Sequence, residues 1–231
     1  MHIRTEQWKM RDVPFWIDST PIRRFPKLQR NINVDIVVIG AGVTGITTAY
    51  LLKKAGATVA LIERERVASI DTGHTTAHLT YITDIELQEL VRNFGKDHAQ
   101  AAWDAGAAAI NEIESIVSEE RIDCEFGRVP AYLHVCAENF SKRDVSTLRK
   151  EADVAAELGF DAVYLESIPY FNLPRVRFAN QAKFHPRKYL RALVEKIADG
   201  GSDVFEKSAA TEFDAGKRRV KINRNWINFD S

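Results

Sequence analysis

Three glycines follow an apolar segment in the spacing G-x-G-x-x-G and precede an amphipathic one; they are Gly40, Gly42 and Gly45. In this arrangement the first glycine allows a tight turn, the second lets the backbone approach a pyrophosphate, and the third lets a helix pack closely on a strand. The N–H groups that open the helix, at Val43 and Thr44, and the helix dipole then meet the negative charge. The spacing predicts a dinucleotide site, although a glycine-rich turn without a ligand can have the same letters.

Glu63 ends the next apolar segment and is the candidate ligand for a ribose. A carboxylate at the end of the second strand can accept hydrogen bonds from both hydroxyls of an adenosine ribose. The negative charge of Glu63 repels a 2′-phosphate and therefore disfavours NADP. Arg64 and Arg66 are cations that could bind that phosphate, so NADP is not excluded as the ligand. These residues predict an adenine dinucleotide.

A strand, a helix and a second strand are needed to position these residues. The nearly all-apolar segment 34–40 predicts a strand buried on both faces, as in parallel sheets. A helix is predicted over 43–54, ending at Gly56, and segment 58–63 predicts a second buried strand. Strand, helix and strand together form a right-handed βαβ unit.

The remainder of the chain predicts further helices and strands from apolar periodicity and turn residues. The predicted helices cover 84–95, capped by Asp84 and stopped by Gly95, then 96–119, 142–158 and 185–201, with a short helix beginning in 72–81. A hairpin over 122–136 is predicted to turn at 127–130, and further strands cover 162–166, 176–184 and parts of 203–229. The N-terminal residues form an irregular arm in which three prolines prevent a helix and Trp8, Phe15 and Trp16 are the anchors.

Length, charge and cysteine content narrow the function classes. A chain of 231 residues can bury one core and a smaller lobe. Its 32 basic and 32 acidic side chains balance, so it lacks the field of a nucleic-acid binder. No apolar run approaches the roughly 20 residues of a membrane span, and the N-terminus lacks the apolar centre of an export signal. We therefore expect a cytoplasmic protein in which Cys124 and Cys136 are reduced thiols.

Residues 34–80, VDIVVIGAGVTGITTAYLLKKAGATVALIERERVASIDTGHTTAHLT, resemble the N-terminal part of FAD-dependent oxidoreductases of the D-amino-acid oxidase and glycine oxidase superfamily. The segments PFWIDSTP and TGHTTAHLT are similar to a bacterial branch whose members often carry a C-terminal Rieske iron–sulfur module. The resemblance returns at FHPRKYLRALVEKIADGGSDVFEKSAATEF, so it covers most of residues 12–231.

The resemblance implies which residues contact the flavin cofactor. In relatives, the loop after the ribose-binding acid and the helix that follows wrap the FAD pyrophosphate and approach the flavin ring. The matching residues are Arg64, Thr72, Gly73, His74, Thr75 and Thr76. Small hydroxyl residues and a glycine at a helix start present donors without bulk, which agrees with an extended FAD. The adenine contact falls on Ala209 or Ala210, and its position favours Ala210.

The resemblance also implies a fold and a function. The expected fold is α/β, with a Rossmann-type FAD-binding lobe around a parallel sheet and an inserted α+β substrate lobe. The expected divisions are 1–31 for the arm, 32–120 and 181–231 for the FAD-binding lobe, and 121–180 for the substrate lobe, in an N-terminal portion of a longer protein. The implied activity is oxidation of a C–N bond in an amine or amino acid by hydride transfer to FAD.

The reoxidant implied by the resemblance is dioxygen or an iron–sulfur centre. Two other functions stay open. An NAD-dependent dehydrogenase would use the same glycines but leave the hydroxyl-rich segment 72–76 unexplained. A non-catalytic flavin-binding fragment or subunit would bind FAD and oxidise nothing.

Other polar residues give no catalytic assignment. His74 and His78 are spaced for one helical face, but no third ligand has matching spacing, so no metal is predicted. His185 precedes a proline at a helix start and is interpreted as a cap or a buried hydrogen-bonding residue. An arginine of the substrate lobe could hold a carboxylate, although surface arginines and core tyrosines are the simpler interpretation. The residues concerned are Tyr132, Tyr170, Arg175 and Arg177.

Overall fold

A computed structural model describes residues 12–135, 141–167 and 172–230. Trp8, Cys136 and Tyr170, which the sequence analysis singled out, lie outside the described residues. The contacts divide the chain into two compact units. The first comprises the residues up to Thr75 and from Pro186 onward, and the second is Thr76–His185. Within the described ranges, no helix is long and apolar enough to cross a membrane.

The helices and strands alternate along most of the chain. The α-helices are α1 Phe15–Ser19, α2 Val43–Lys54, α3 Leu87–Phe94, α4 Lys96–Glu119, α5 Lys142–Glu157 and α6 Pro186–Ile197. The strands are β1 Ile32–Val34, β2 Ile36–Ile39, β3 Val59–Ile62, β4 His78–Leu79, β5 Gly127–His134, β6 Ala162–Leu165, β7 Arg175–Lys183, β8 Asp203–Phe205, β9 Ala210–Asp214, β10 Arg219–Ile222 and β11 Asn225–Phe229. Two 3-10 helices cover Asp71–His74 and Ala215–Lys217.

The first unit is built on a parallel sheet in the order β2-β3-β8. The central strand β3 is buried along its whole length, which explains its entirely apolar sequence. Helix α2 connects β2 to β3 and packs against both strands and against α6. The predicted strand, helix and strand are therefore present, and α2 has the predicted bounds. The predicted α/β fold class is confirmed.

The predicted strand 34–40 is wrong in one respect, because the structure divides it at Asp35. β1 pairs with β11 in a sheet of order β1-β11-β10-β9, whereas β2 pairs with β3. The Asp35 carboxylate accepts hydrogen bonds from the Thr58 N–H at 2.7 Å and the Thr58 hydroxyl at 2.8 Å. These bonds lower the pKa of the Asp35 carboxyl and fix the chain where the strand changes partner.

The second unit combines an antiparallel sheet with three helices. β7 pairs with β4, β5 and β6, and α3, α4 and α5 pack around them. Its core is aromatic: Trp103 is fully buried, with the ring centroids of Tyr81, Phe160 and Phe178 at 5.4, 5.1 and 5.7 Å. This is the α+β lobe that the sequence predicts, inserted between the two parts of the first unit.

The unit limits differ from the domain limits expected from the sequence. Helix α4 lies in the second unit, whereas the sequence analysis assigned residues 32–120 to the FAD-binding lobe. A division by contacts describes packing, and it does not test which residues serve the cofactor. The domain limits at 31, 120 and 180 therefore stay a prediction.

The predicted hairpin at 122–136 is wrong. Strand β5 runs straight through the expected turn and pairs with β7. Pro130 lies where the register shifts, between Val129 and Ala131. Among the strands that the structure describes, β5 pairs only with β7, so the missing N–H of Pro130 falls on an edge strand with an irregularity, where proline is tolerated.

The predicted cap of α3 is also wrong. The helix begins at Leu87, and the carboxylate of Glu151 in α5 accepts hydrogen bonds from the N–H groups of Leu87 at 2.6 Å and Gln88 at 3.1 Å. Glu151 is 1% exposed, and its burial raises the pKa of the carboxyl group. Glu151, which is more than 60 positions away in the sequence, thus caps this helix in place of Asp84.

The N-terminal arm is not wholly irregular, because α1 follows Pro14. Trp16 is an anchor as predicted: its Nε1–H donates to the carbonyl oxygen of Thr75 at 2.7 Å. Phe15 is not an anchor, since it is 67% exposed. Phe25 and Leu28, which the sequence analysis did not single out, are the buried apolar residues in the described part of the arm, 12–31.

Candidate functional site

A cleft of about 390 Å³ lies in the first unit where β2 and β3 end and α2 begins. Its walls come from residues 39–42, from residues between 62 and 72, and from 208–210. In open α/β sheets, ligands bind outside the carboxyl ends of the strands, which is where this cleft opens. We therefore take it as the candidate functional site.

A side chain would have a different effect at each of the three glycines of the motif. Gly40 has φ +100°, a left-handed conformation that disfavours any side chain. A Cβ on Gly45 would lie 1.8 Å from the carbonyl oxygen of Gly40, so only glycine allows the helix to approach the strand this closely. Gly42 has an ordinary extended backbone, and a Cβ there would lie 3.2 Å from Oγ1 of Thr72. The backbone conformation does not demand glycine at 42, and a Cβ there would require the Thr72 side chain to shift by a few tenths of an ångström.

The residue before α2, Gly42, lines the cleft, whereas Val43 at the start of the helix does not. The Val43 N–H donates to Oγ1 of Thr72 at 3.3 Å, so the predicted hydroxyl residue lies at the first turn of the helix. The first N–H groups of a helix have no partner inside it, and they form an anion site together with the helix dipole. Thr44, the other predicted residue of this turn, is exposed and is not among the residues that line the cleft.

Glu63 lies at the end of β3 and is only 7% exposed. One carboxylate oxygen accepts a hydrogen bond from the Ala41 N–H at 2.9 Å, and the other accepts from the Glu65 N–H at 2.7 Å. These bonds hold the carboxylate beside the glycine turn. Each carboxylate oxygen has a second lone pair, so Glu63 can still accept a hydrogen bond from a hydroxyl group in the cleft.

The two arginines after Glu63 both line the cleft but differ in their surroundings. Arg64 is exposed, whereas Arg66 forms an ion pair with the buried carboxylate of Glu206 at 2.6 Å. Ile39 and Ile70, 48% and 42% exposed, add apolar surface that the sequence analysis did not predict. These two side chains are exposed because of where the cleft opens, and no residue pattern in the sequence indicates the position of that opening.

The hydroxyl-rich segment 72–76 contributes to the cleft mainly through Thr72. Gly73 is buried against the arm, where a Cβ would lie 2.9 Å from Cδ1 of Ile17. Nδ1 of His74 lies 2.7 Å from the carbonyl oxygen of Ile70, and Thr75 accepts the bond from Trp16. Of the described residues in this segment, Gly73, His74, Thr75 and Thr76 are not in the cleft wall, so their cofactor contacts stay a prediction.

Residues 208–210 form the wall opposite the glycine turn. The Ser208 N–H donates to the Glu63 carbonyl oxygen at 2.9 Å, which sets this segment beside the candidate ribose ligand. Ala209 and Ala210 both line the cleft, so the structure does not separate the two candidates for the adenine contact. Small side chains at both positions leave room for a flat ring.

The remaining candidate residues lie in the second unit. His185 is buried, and its backbone N–H donates to the Cys124 carbonyl oxygen at 2.6 Å; the interpretation of its side chain as a cap or a hydrogen-bonding group stays a prediction. Tyr132 is 39% exposed, so it is not a core residue. Arg175 is buried and donates to the Leu173 carbonyl oxygen at 2.9 Å, so it is not a surface arginine, while Arg177 pairs with Asp161. No metal-binding group of three or more His, Cys, Asp or Glu occurs in the ranges that the structure describes.

The chemistry of the cleft fits the adenosine diphosphate portion of a dinucleotide. Gly42 lies at a helix start with the Thr72 hydroxyl next to it, and a buried carboxylate lies at the end of the adjacent strand. These features provide for a pyrophosphate and a ribose respectively. The volume is within the usual range of ligand sites.

Comparisons with known proteins identify the family of this chain. The family model "DAO: FAD dependent oxidoreductase" matches residues 35–227. YhfW of Bacillus subtilis, which is named as a Rieske 2Fe-2S iron-sulfur protein, is 38% identical over 213 residues, covering 91% of this chain and 41% of that protein. The chain thus spans less than half the length of this relative.

Two solved structures share the fold. An L-amino acid deaminase from Proteus vulgaris has a TM-score of 0.67 at 15% identity, covering 90% of this chain and 54% of that one. A glycine oxidase from Geobacillus kaustophilus has a TM-score of 0.69 at 13% identity, covering 87% and 54%. The match of the family model over most of the chain, to the residues that build the cleft, shows that this chain belongs to the DAO family of FAD-dependent oxidoreductases.

Proposed function

We propose that the cleft of the first unit holds the adenosine diphosphate portion of FAD, and that the protein oxidises a C–N bond of an amine or amino acid. The family supplies FAD as the cofactor and oxidoreduction as the type of reaction. The single observation that supports the placement is the glycine turn beside a buried carboxylate. Gly42 lines the cleft and has an ordinary backbone conformation, a Cβ there would press only on the side chain of Thr72, and Glu63 keeps hydrogen-bonding capacity toward the cleft.

The residues of the cleft have separate roles in this proposal. Gly42 and the N–H groups that open α2 receive the pyrophosphate, assisted by the Thr72 hydroxyl. Glu63 accepts hydrogen bonds from the ribose, and its buried charge excludes a 2′-phosphate. The backbone of Ala209 or Ala210 contacts the adenine. Bound FAD supplies the two-electron acceptor, and the chain contributes orientation and exclusion of water.

An amine or amino acid is the substrate class that we propose. The two solved structures are named for an amino acid deaminase and a glycine oxidase, but at 15% and 13% identity they support the fold alone. The choice of a C–N bond therefore rests on the resemblance of residues 34–80 to the amino-acid oxidase superfamily. The electron acceptor in this proposal is dioxygen or an iron–sulfur centre, and the name of the relative from Bacillus subtilis favours the latter.

The visible spectrum of the purified protein tests the cofactor and the substrate class together. We expect flavin absorption bands, and we expect anaerobic addition of the correct amine to bleach them. Bands that survive every amine and amino acid offered would favour a non-catalytic flavin-binding protein. Absence of flavin bands, together with thermal stabilisation by NAD but not by FAD, would contradict the proposal.

A matched pair of variants tests the position of the cofactor. Gly42→Val fills the point of closest approach, so we expect it to abolish FAD retention while the far-ultraviolet circular dichroism stays unchanged. Gly127→Val is the control, because a Cβ at Gly127 contacts nothing within 4 Å and the residue lies in the second unit. Equal flavin content in both variants would show that FAD does not bind at the glycine turn.

A further inference from the structure

Glu206 is a buried carboxylate at the back of the cleft wall. It follows β8 directly and is 2% exposed. Oε2 accepts hydrogen bonds from Nη1 of Arg66 at 2.6 Å and from the Phe25 N–H at 3.1 Å, and Oε1 accepts from the Val67 N–H at 2.9 Å. Three donors from two distant segments therefore converge on one side chain.

A buried charge with three donors fixes the geometry around it. Ionic hydrogen bonds are shorter and stronger than neutral ones, and a buried carboxylate that lost them would keep its full desolvation penalty. The Arg66 side chain and the backbone at Val67 are thus held in one position. Because Arg66 itself lines the cleft, Glu206 shapes the cleft without being among its lining residues.

Arg187 holds Ala68, the residue after Val67, in a fixed position in the same way. It is 5% exposed, and its Nη1 donates to the Ala68 carbonyl oxygen at 2.6 Å while its Nε donates to the Thr20 carbonyl oxygen at 3.0 Å. The Ala68 N–H donates to the carbonyl oxygen of Ala41 in the glycine turn at 2.9 Å. Ala68 has φ +50°, a conformation that an alanine adopts only when its surroundings hold it there.

Both residues tie the cleft wall to the N-terminal arm. Glu206 binds Phe25 and Arg187 binds Thr20, and the Glu206 N–H also donates to the Pro26 carbonyl oxygen at 3.0 Å. One further bond, from the Leu28 N–H to Oγ of Ser208 at 3.0 Å, joins the arm to the other wall of the cleft. All of these residues belong to the first unit. The arm therefore lies behind both sides of the cleft wall.

We infer that Glu206 and Arg187 are positioning residues that latch the N-terminal arm to the segment Arg66–Ala68, so that the arm is part of the cofactor site and FAD binding and arm closure favour each other. This inference rests on the proposed occupancy of the cleft by FAD. Neither residue touches the cofactor in this arrangement. Each acts through Arg66, Val67 or Ala68.

Titration of the apoprotein with FAD, followed by quenching of flavin fluorescence, tests Glu206. Glu206→Gln places an amide N–H₂ among three donors, and we expect it to weaken FAD binding about tenfold or more. Arg187→Lys keeps the charge but cannot donate to Thr20 and Ala68 in the same geometry, so we expect a similar loss. Glu151→Gln is the control, because it alters an equally buried carboxylate in the second unit. Its FAD affinity is expected to match that of the wild type.

Tryptic cleavage of the arm is a second readout, and it can be measured on the wild type as well as on the variants. Arg24 and Lys27 are exposed, but the residues that follow them, Phe25 and Leu28, are buried, so cleavage of these two bonds requires the arm to open. If opening and FAD binding exclude each other, FAD at about ten times its Kd slows cleavage of the wild type about tenfold. We expect this protection to be smaller in Glu206→Gln even when the cleft is saturated.

The outcomes separate this inference from the proposed function. A wild type that binds no FAD contradicts the occupancy of the cleft. A wild type that binds FAD but is cleaved in the arm at the same rate with and without it overturns the latch. Equal FAD affinity of Glu206→Gln, Arg187→Lys and the wild type overturns the positioning roles.

Discussion

The substitution Gly45→Ala gives the sharpest test of the glycine turn, because two effects of opposite sign compete at that position. Replacing glycine by alanine inside a helix normally stabilises a protein by about 1 kcal/mol. Here the new Cβ would lie 1.8 Å from the Gly40 carbonyl oxygen, and real contacts of this kind begin near 3.0 Å. The helix and the turn would have to separate by more than 1 Å, which the packing around them resists.

The Gly40 carbonyl cannot easily move aside, because the N–H of the same peptide unit, at Ala41, donates to Oε2 of Glu63 at 2.9 Å, and the Gly40 N–H on the other side donates to the Ile62 carbonyl oxygen at 2.8 Å. Overpacking of a core costs about 1–3 kcal/mol and occasionally more. A clash of backbone atoms that are anchored on both sides belongs to the upper part of that range, so it outweighs the gain in helix propensity. We expect Gly45→Ala to lower the free energy of unfolding by about 2 kcal/mol or more.

Urea unfolding followed by far-ultraviolet circular dichroism measures this change, and Gly42→Ala is the matched control. At Gly42 the backbone is extended and the new Cβ meets only the hydroxyl of Thr72 at 3.2 Å, so the unfolding midpoint is expected to change little. FAD affinity is expected to fall in Gly42→Ala, because the proposed function places the pyrophosphate against this residue. A Gly45→Ala protein as stable as the wild type would refute the packing argument.

Three further predictions concern single side chains. Glu63→Gln removes the charge that accepts from two backbone N–H groups and replaces one acceptor by a donor, so FAD affinity is expected to fall about tenfold or more in a fluorescence titration, and unchanged affinity would contradict the ribose role. Burial raises the pKa of Glu151, so the folded state binds its proton more tightly and the free energy of unfolding falls as pH rises from about 4.5 through the raised pKa. This slope is expected to vanish in Glu151→Gln when urea midpoints are compared from pH 4 to pH 8, and an equal slope in both proteins would contradict it. Lys53→Met removes the ammonium group that donates to the carbonyl oxygens of Lys196 and Ile197 at the end of α6, and a loss of about 1 kcal/mol is expected in the same assay, whereas an unchanged midpoint would show that this cap contributes nothing.

The parts of the fold that follow from short-range rules were predictable. Helices α2 and α4 have the predicted bounds, because apolar periodicity and the glycines at 56 and 95 are local signals. The continuous strand β5 was not predictable from its own letters. Gly127 and Pro130 are turn residues by composition, and only the long partner β7 keeps them in a strand.

The candidate site was predictable to the extent that its residues are close in the sequence. Gly40, Gly42 and Gly45 follow one strand, and Glu63 ends the next one, so the βαβ rule places them together. Thr72 was reached through the resemblance, and the structure places it at the start of α2. The residues that hold the cleft wall were not predicted, because the partners are far apart in the sequence: Phe25 and Glu206 are separated by 181 positions.

The sequence by itself determined that an α/β unit with a nucleotide turn exists, since glycine spacing, apolar runs and one acid act within about thirty residues. Only the tertiary structure decided that Asp35 divides the first strand between two sheets, that Glu151 caps a helix of another segment, and that Glu206 and Arg187 join the arm to the cleft. The physical reason is that a buried charged group is stabilised by hydrogen-bond partners that are close to it in the fold, and these need not be close to it in the sequence. Which donors surround it depends on how distant segments pack, and no local pattern records that.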